Sequence, residues 1–209
     1  MLISVSFTNF KTTQKDIIKD INKTSADFIH IDLFDGKFVP TKQQLPGELS
    51  KLDFQKKLDV HLMAENPLKY LDFFASLNTE YFTFHFETVK DIESTIYEIK
   101  STGLKVGVAL MLTTNPKELY PYLHLVDQVL VMSVKGGYGG SPFNEKALTK
   151  IAKLKAYREE HNLNYLINVD GSINDTTIDL VKEAGVDMVV CGSYICLSDD
   201  LDERINNLR

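Results

Sequence analysis

Short apolar runs alternate with longer amphipathic stretches along the whole 209-residue chain. Residues 2–7, 26–33, 58–63, 81–85, 105–110, 126–134, 165–169 and 188–191 read as strands, because β-branched and aromatic residues crowd there with little charge. Between them, residues 12–23, 67–77, 90–101, 116–122, 145–161, 175–184 and 199–208 place apolar side chains at helical spacing, as Ile17, Ile18 and Ile21 do in the first. Residues 37–45 are the one irregular section, with Pro40 and Pro46 blocking regular structure. With the irregular section standing where a helix would follow the second strand, we read the eight strands and seven helical stretches as eight strand and helix units. Such alternation predicts parallel strands joined by crossover helices, and eight units in one domain over residues 1–209 favour a closed (β/α)8 barrel over an open doubly wound sheet.

Composition narrows the function classes. A chain with 44% hydrophobic and 25% charged residues is ordinary for a globular protein. Its net charge of −6 and the lack of a Lys/Arg cluster exclude a nucleic-acid surface, which needs a basic stripe. Neither a basic flank nor a small-residue cleavage site accompanies the N-terminal apolar run, and no run is long enough to cross a membrane, so a cytoplasmic protein is expected. Cys191 and Cys196 are too few and too oddly spaced for a disulfide framework or zinc ribbon, and read as packing residues.

In a barrel of this kind chemistry sits at the carboxyl ends of the strands and in the loops that follow. Alternation puts His30, Asp32 and Phe34 on one face of the second strand and Ile31 and Leu33 on the other. His61 and His85 close the third and fourth strands, Met132 and Ser133 lie near the end of the sixth, Asp170 ends the seventh, and Gly192-Ser193 follows the eighth. Singly, each has a plain structural explanation: a strand residue, a turn at Asp170-Gly171, a helix N-cap at Ser193. Jointly, two His and two Asp at one mouth form a nitrogen and oxygen donor set suited to a divalent metal. Gly171-Ser172 and Gly192-Ser193 stand where barrels present backbone N–H groups to phosphate. The stretch from Lys135 to Phe143, with Gly136, Gly137, Gly139 and Gly140, cannot be a packed element, and its position after strand six suits a lid.

Several of these segments together resemble the ribulose-phosphate 3-epimerase family: HIDLFDGKFVP at 30–40, DVHLM at 59–63, Met132-Ser133 with the following glycine loop, Val169-Asp170-Gly171 and Gly192-Ser193. The resemblance runs over nearly the whole chain. It implies a phosphate-binding (β/α)8 barrel that inverts a ketose phosphate at carbon 3 with one divalent metal, zinc, iron or manganese. The implied metal ligands are His30, Asp32, His61 and Asp170, with Asp32 and Asp170 also serving as acid and base. Ser4, His61, Met63, Met132, Gly139, Gly140, Gly171, Gly192 and Ser193 are implied at the substrate. The expected partners are a phosphorylated ketose and further copies of the chain in a homo-oligomer, with neither nucleic acid nor membrane.

The chain departs from the family pattern at Ile3 (usually Pro), Phe34 (Met), Thr41 (Asn), Phe86 (Pro), Lys135-Gly136 (Asn-Pro or Asp-Pro) and Ser141 (Gln). None of these removes an implied ligand or base. They reshape the loop and pocket, so the reaction type is better supported than the sugar. D-Ribulose 5-phosphate and D-xylulose 5-phosphate are the expected pair. Residues 165–174 carry a slight likeness to the branch acting on allulose 6-phosphate. Other classes compete: a decarboxylase or aldolase, which generally wants a lysine among its strand-end acids, and a non-catalytic sugar-phosphate-binding barrel. For the epimerase, a cation stabilises charge on the oxygen at carbon 2 while two carboxylates work on opposite faces of carbon 3.

Overall fold

The computed structural model describes residues 1–8, 10–43, 46–136 and 140–209, with Lys42 and Gln43 described by backbone alone. Its strands are β1 (Leu2–Ser6), β2 (Phe28–Asp35), β3 (Lys42–Gln43), β4 (Lys57–Met63), β5 (Thr79–His85), β6 (Lys105–Leu110), β7 (Gln128–Met132), β8 (Leu166–Asp170) and β9 (Met188–Cys191). All except β3 run parallel in the order β1-β9-β8-β7-β6-β5-β4-β2, and β1 pairs with β2 to close the ring. This is the expected eight-stranded barrel. The outward faces of the eight barrel strands are apolar, for example Ile29, Ile31 and Leu33 on β2 and Val129 and Val131 on β7, and pack against the helices in one continuous core.

The helices are α1 (Gln14–Lys23), α2 (Pro46–Leu49), α3 (Leu71–Ala75), α4 (Ile92–Ser101), α5 (Lys146–Glu160), α6 (Ile178–Ala184), α7 (Ser193–Cys196) and α8 (Leu201–Leu208). Side-chain caps fix several starts: Thr13 accepts from the backbone N–H of Asp16, Asp91 from Ser94 and Asp200 from Glu203. Gly185, at φ +100°, ends α6 in the left-handed conformation that a side chain resists.

Three local expectations are corrected. The irregular section contains β3, antiparallel to the end of β2, and the unit it belongs to supplies only the four-residue α2 as its helix. The helix expected over 67–77 is a 3-10 turn, Pro67–Tyr70, running into α3. Residues Pro116–Tyr122 are also 3-10, with Pro121 inside, where a proline has no N–H to continue an α-helical ladder. Among the described residues no helix is long and apolar enough to cross a membrane.

Inward-facing side chains stack in layers. At the amino ends of the strands Phe28, Tyr81 and Met188 form an apolar floor with Leu2 and Leu166. Above it lie Ser4, Asp59, Thr83, Gln128 and Asn168, all fully buried. Gly107 is required in this layer, because a Cβ there would meet Thr83 Oγ1 at 2.0 Å. Toward the carboxyl ends the interior divides into a side rich in His and Asp and an apolar side of Ala109, Leu130 and Val190.

Candidate active site

Strand register assembles the centre. In the β2/β4 pair, His30 stands beside Asp59 and Asp32 beside His61, all on the inward face. From across the barrel, β8 brings Asp170, paired with Met132 of β7 and Val190 of β9. His30, Asp32, His61 and Asp170 each direct one ligand atom into a cluster whose members lie within 4.8 Å of one another. His61 Nδ1 is 3.2 Å from Asp32 Oδ1 and 3.6 Å from Asp170 Oδ2.

The two imidazoles present different nitrogens. His30 Nδ1–H donates to Asp59 Oδ2 at 2.7 Å. Its Nε2 is buried 3.3 Å from Asp32 Oδ1, without a hydrogen-bond partner among the described residues. A buried nitrogen without a hydrogen-bond partner beside carboxylates is a position for positive charge, a proton in the metal-free centre or a cation that displaces it. The electrostatics agree. Burial pulls His30 toward its neutral form, yet Asp32 and Asp59 outweigh burial and raise its pKa well above the usual value. For His61, burial is again outweighed, here by Asp170 and Asp32. Burial would favour a neutral Asp32, but His30 and His61 hold its carboxyl far below the usual range. The cluster therefore demands positive charge, and its two imidazoles and two carboxylates fit a first-row divalent ion.

Above the cluster opens a cavity of about 430 Å³, in the range of small-molecule sites. Asp32 and Asp170 reach it from the charged side, Met63 and Met132 line it, and Gly140, Gly171, Gly192 and Ser193 form part of its rim. Gly171 has φ +121°, and a Cβ there would meet Val134 Cγ2 at 2.6 Å, so the tight turn after β8 depends on glycine. Gly139 lies outside the described residues.

Ser4 is placed differently from the expectation. It is fully buried one layer below the cavity, where its Oγ donates to Asp59 Oδ2 at 3.0 Å. The serine of β1 that lines the cavity is Ser6, whose Oγ donates to Asp32 Oδ2 at 3.0 Å. Strand alternation allowed either serine, since both face inward. Sequence reasoning gave no role to Asp59, although it stands two residues before His61, the same spacing as His30 to Asp32. It placed His85 at the end of the fourth strand without giving it a role or a partner. His85 is buried with Nε2 2.9 Å from His61 Nε2, and its pKa is pushed down to about 4, first by burial.

With this geometry in view the sequence comparisons are decisive. The model of the Ribulose-phosphate 3 epimerase family matches residues 2–196. The chain belongs to the ribulose-phosphate 3-epimerase family. A ribulose-phosphate 3-epimerase of Helicobacter pylori (strain J99) is 38% identical over 196 residues, covering 92% of this chain and 90% of that protein. The Bacillus subtilis (strain 168) ribulose-phosphate 3-epimerase is 37% identical over 195 residues, again covering 92% and 90%. Among solved structures, 3-hexulose-6-phosphate synthase matches with a TM-score of 0.66 at 16% identity, covering 100% of this chain and 98% of that one. Thiamine phosphate pyrophosphorylase from Pyrococcus furiosus matches at 0.64 and 14%, covering 100% and 93%. At such identities these two support the barrel alone, whereas membership of the epimerase family rests on the sequence matches.

Proposed function

We propose that this family member is a metal-dependent 3-epimerase interconverting D-ribulose 5-phosphate and D-xylulose 5-phosphate, with Asp32 and Asp170 as its two proton-transfer groups. The observation that carries the reading is the pair of carboxylates arriving from β2 and β8 at one His-lined centre that opens into a sugar-sized cavity. The names of the relatives at 37–38% identity supply the substrate.

Epimerisation needs a proton to leave one face of carbon 3 and another to arrive on the opposite face. Asp32, kept ionised by His30 and His61 and oriented by Ser6, suits the accepting role in one direction. Asp170, arriving from β8, exchanges the proton on the other face, and the roles of the two carboxyl groups reverse with the direction of the reaction. His30 through Nε2 and His61 through Nδ1, with the two carboxylates, would hold the divalent ion. Zinc, iron and manganese all accept this donor set. Once bound, the ion supplies Lewis acidity that stabilises the negative charge developing on the substrate oxygen at carbon 2. Met63 and Met132 exclude water from the reacting carbons. The sugar's phosphate is assigned to the rim formed by Gly171, Gly192 and Ser193.

The test is direct. Metal-loaded protein incubated with ribulose 5-phosphate is expected to form xylulose 5-phosphate, and far more slowly to convert free ribulose. Preferential turnover of allulose 6-phosphate would move the assignment to a hexulose phosphate. No turnover of either would leave a non-catalytic binding protein.

A further inference from the structure

His61 and His85 face each other through Nε2 atoms 2.9 Å apart, with ring centroids 5.0 Å apart and both side chains fully buried. One of these nitrogens must carry a hydrogen and the other must accept it. If His85 donates, a neutral His85 turns its Nδ1 lone pair toward Glu87 Oε2, 3.2 Å away, setting lone pair against carboxylate. If His61 donates, His85 accepts at Nε2 and gives its Nδ1–H to Glu87, and every group is satisfied. Only the second arrangement leaves His61 Nδ1, the atom facing Asp32 and Asp170, with a free lone pair.

Glu87 is held in place to enforce that choice. Its other oxygen, Oε1, accepts from the backbone N–H of Met111 at 2.9 Å and from the hydroxyl of Thr114. Lys150, almost wholly buried, donates from Nζ to the carbonyls of Met111 and Thr114, so the turn that grips the carboxylate is itself clamped. Phe38 covers the His85 ring at a centroid distance of 4.8 Å.

We infer that Glu87, acting through His85, is a positioning residue that fixes the tautomer of His61 and so prepares His61 Nδ1 as a metal ligand. The inference rests on the metal centre described under Proposed function and adds to it a second line of support. His30 is oriented by a carboxylate one bond away, Asp59, whereas His61 is oriented by a carboxylate relayed through a second imidazole.

The decisive variant is Glu87→Gln. The Met111 N–H requires an acceptor, so the amide oxygen turns toward it and the NH2 group faces His85. His85 must then accept at Nδ1 and donate from Nε2, which forces the proton of a neutral His61 onto Nδ1. Zinc affinity of the metal-free protein, measured by competition with a chromophoric chelator, is expected to fall about 10-fold to 100-fold, the usual effect of losing an outer-shell partner. The metal-free melting temperature should stay close to wild type. Thr114→Val, which spares the Oε2 arm, should bind zinc close to the wild-type affinity. Independently of any variant, 15N spectra of the zinc-loaded wild type should show His85 protonated at Nδ1 and bare at Nε2. Unchanged zinc affinity in Glu87→Gln, or a zinc-loaded wild type with the proton on His85 Nε2, overturns the inference while leaving the metal centre intact. A wild-type chain that takes up no zinc, iron or manganese overturns both.

Discussion

The two sides of the barrel interior are built on different principles. Toward the carboxyl ends of β2, β4 and β5 the polar inward residues are His30, Asp32, His61 and His85, each meeting a partner on a neighbouring strand or the candidate ligand cluster, with Asp59 supporting His30 from the layer below. On β6, β7 and β9 the same depth is filled by Ala109, Leu130 and Val190, which touch one another and offer no hydrogen bond. Asp170 on β8 belongs chemically with the first side and reaches the cluster from the direction of the second. A bound sugar would meet the charged wall at Asp32 and Asp170 and the apolar wall at Val190, with Ala109 and Leu130 packed behind it. The low dielectric of the apolar wall strengthens the fields set by the charged one. The charged wall therefore tolerates little change in chemistry, and the apolar wall little change in volume.

That contrast can be broken from either side. The largest effect is expected from Asp170→Asn or Asp32→Asn, which keep shape but remove proton transfer: kcat should fall by about 10²-fold to 10⁴-fold. Metal content must be measured in each, because both side chains belong to the ligand cluster. A metal-loaded Asp170→Asn protein with wild-type turnover would show that the second base is elsewhere. On the apolar wall, Leu130→Ala should cost about 2–5 kcal/mol of stability by leaving a cavity, read as a lower denaturant midpoint, while zinc affinity stays near wild type. Equal losses of affinity and stability would mean that the two walls are not separable.

Smaller effects sharpen the picture within the charged wall. Asp59→Asn leaves the size of the side chain but weakens the acceptor for His30 Nδ1–H at 2.7 Å. Zinc affinity should drop about 10-fold to 100-fold, as judged by chelator competition. Ser6→Ala removes the hydrogen bond to Asp32 Oδ2 and should reduce kcat/KM by about tenfold, near the lower end for a hydrogen bond to a charged group. Ser4→Ala, one layer down, should instead appear in the melting temperature and leave KM alone. The reverse pattern would return Ser4 to the substrate.

Much of this fold was legible in the sequence because outward strand faces form apolar runs such as Ile29, Ile31 and Leu33, and those runs need no knowledge of partners. Elements set by a partner were not legible. The two residues of β3 form a strand only by pairing with Phe34 and Asp35, and Pro46 opens a helix too short to show periodicity. The site divides in the same way. His30, Asp32, His61 and Asp170 could be found from their position at strand ends. The choice between Ser4 and Ser6 depends on depth in the barrel: β1 pairs with β2 so that Ser6 stands beside His30 and Ser4 beside Phe28, near the floor. The pairing of Asp59 with His30 depends on β2/β4 register, and the meeting of His85 with His61 on neighbouring strands, neither of which one segment contains.

The central claim is that two carboxylates exchange protons with opposite faces of one carbon, and turnover in heavy water tests it most directly. Metal-loaded protein given ribulose 5-phosphate in D2O is predicted to yield xylulose 5-phosphate carrying deuterium at carbon 3, because the arriving proton comes from a different carboxyl than the one that accepted the first. Inverted product that keeps its original hydrogen at carbon 3 would contradict the account.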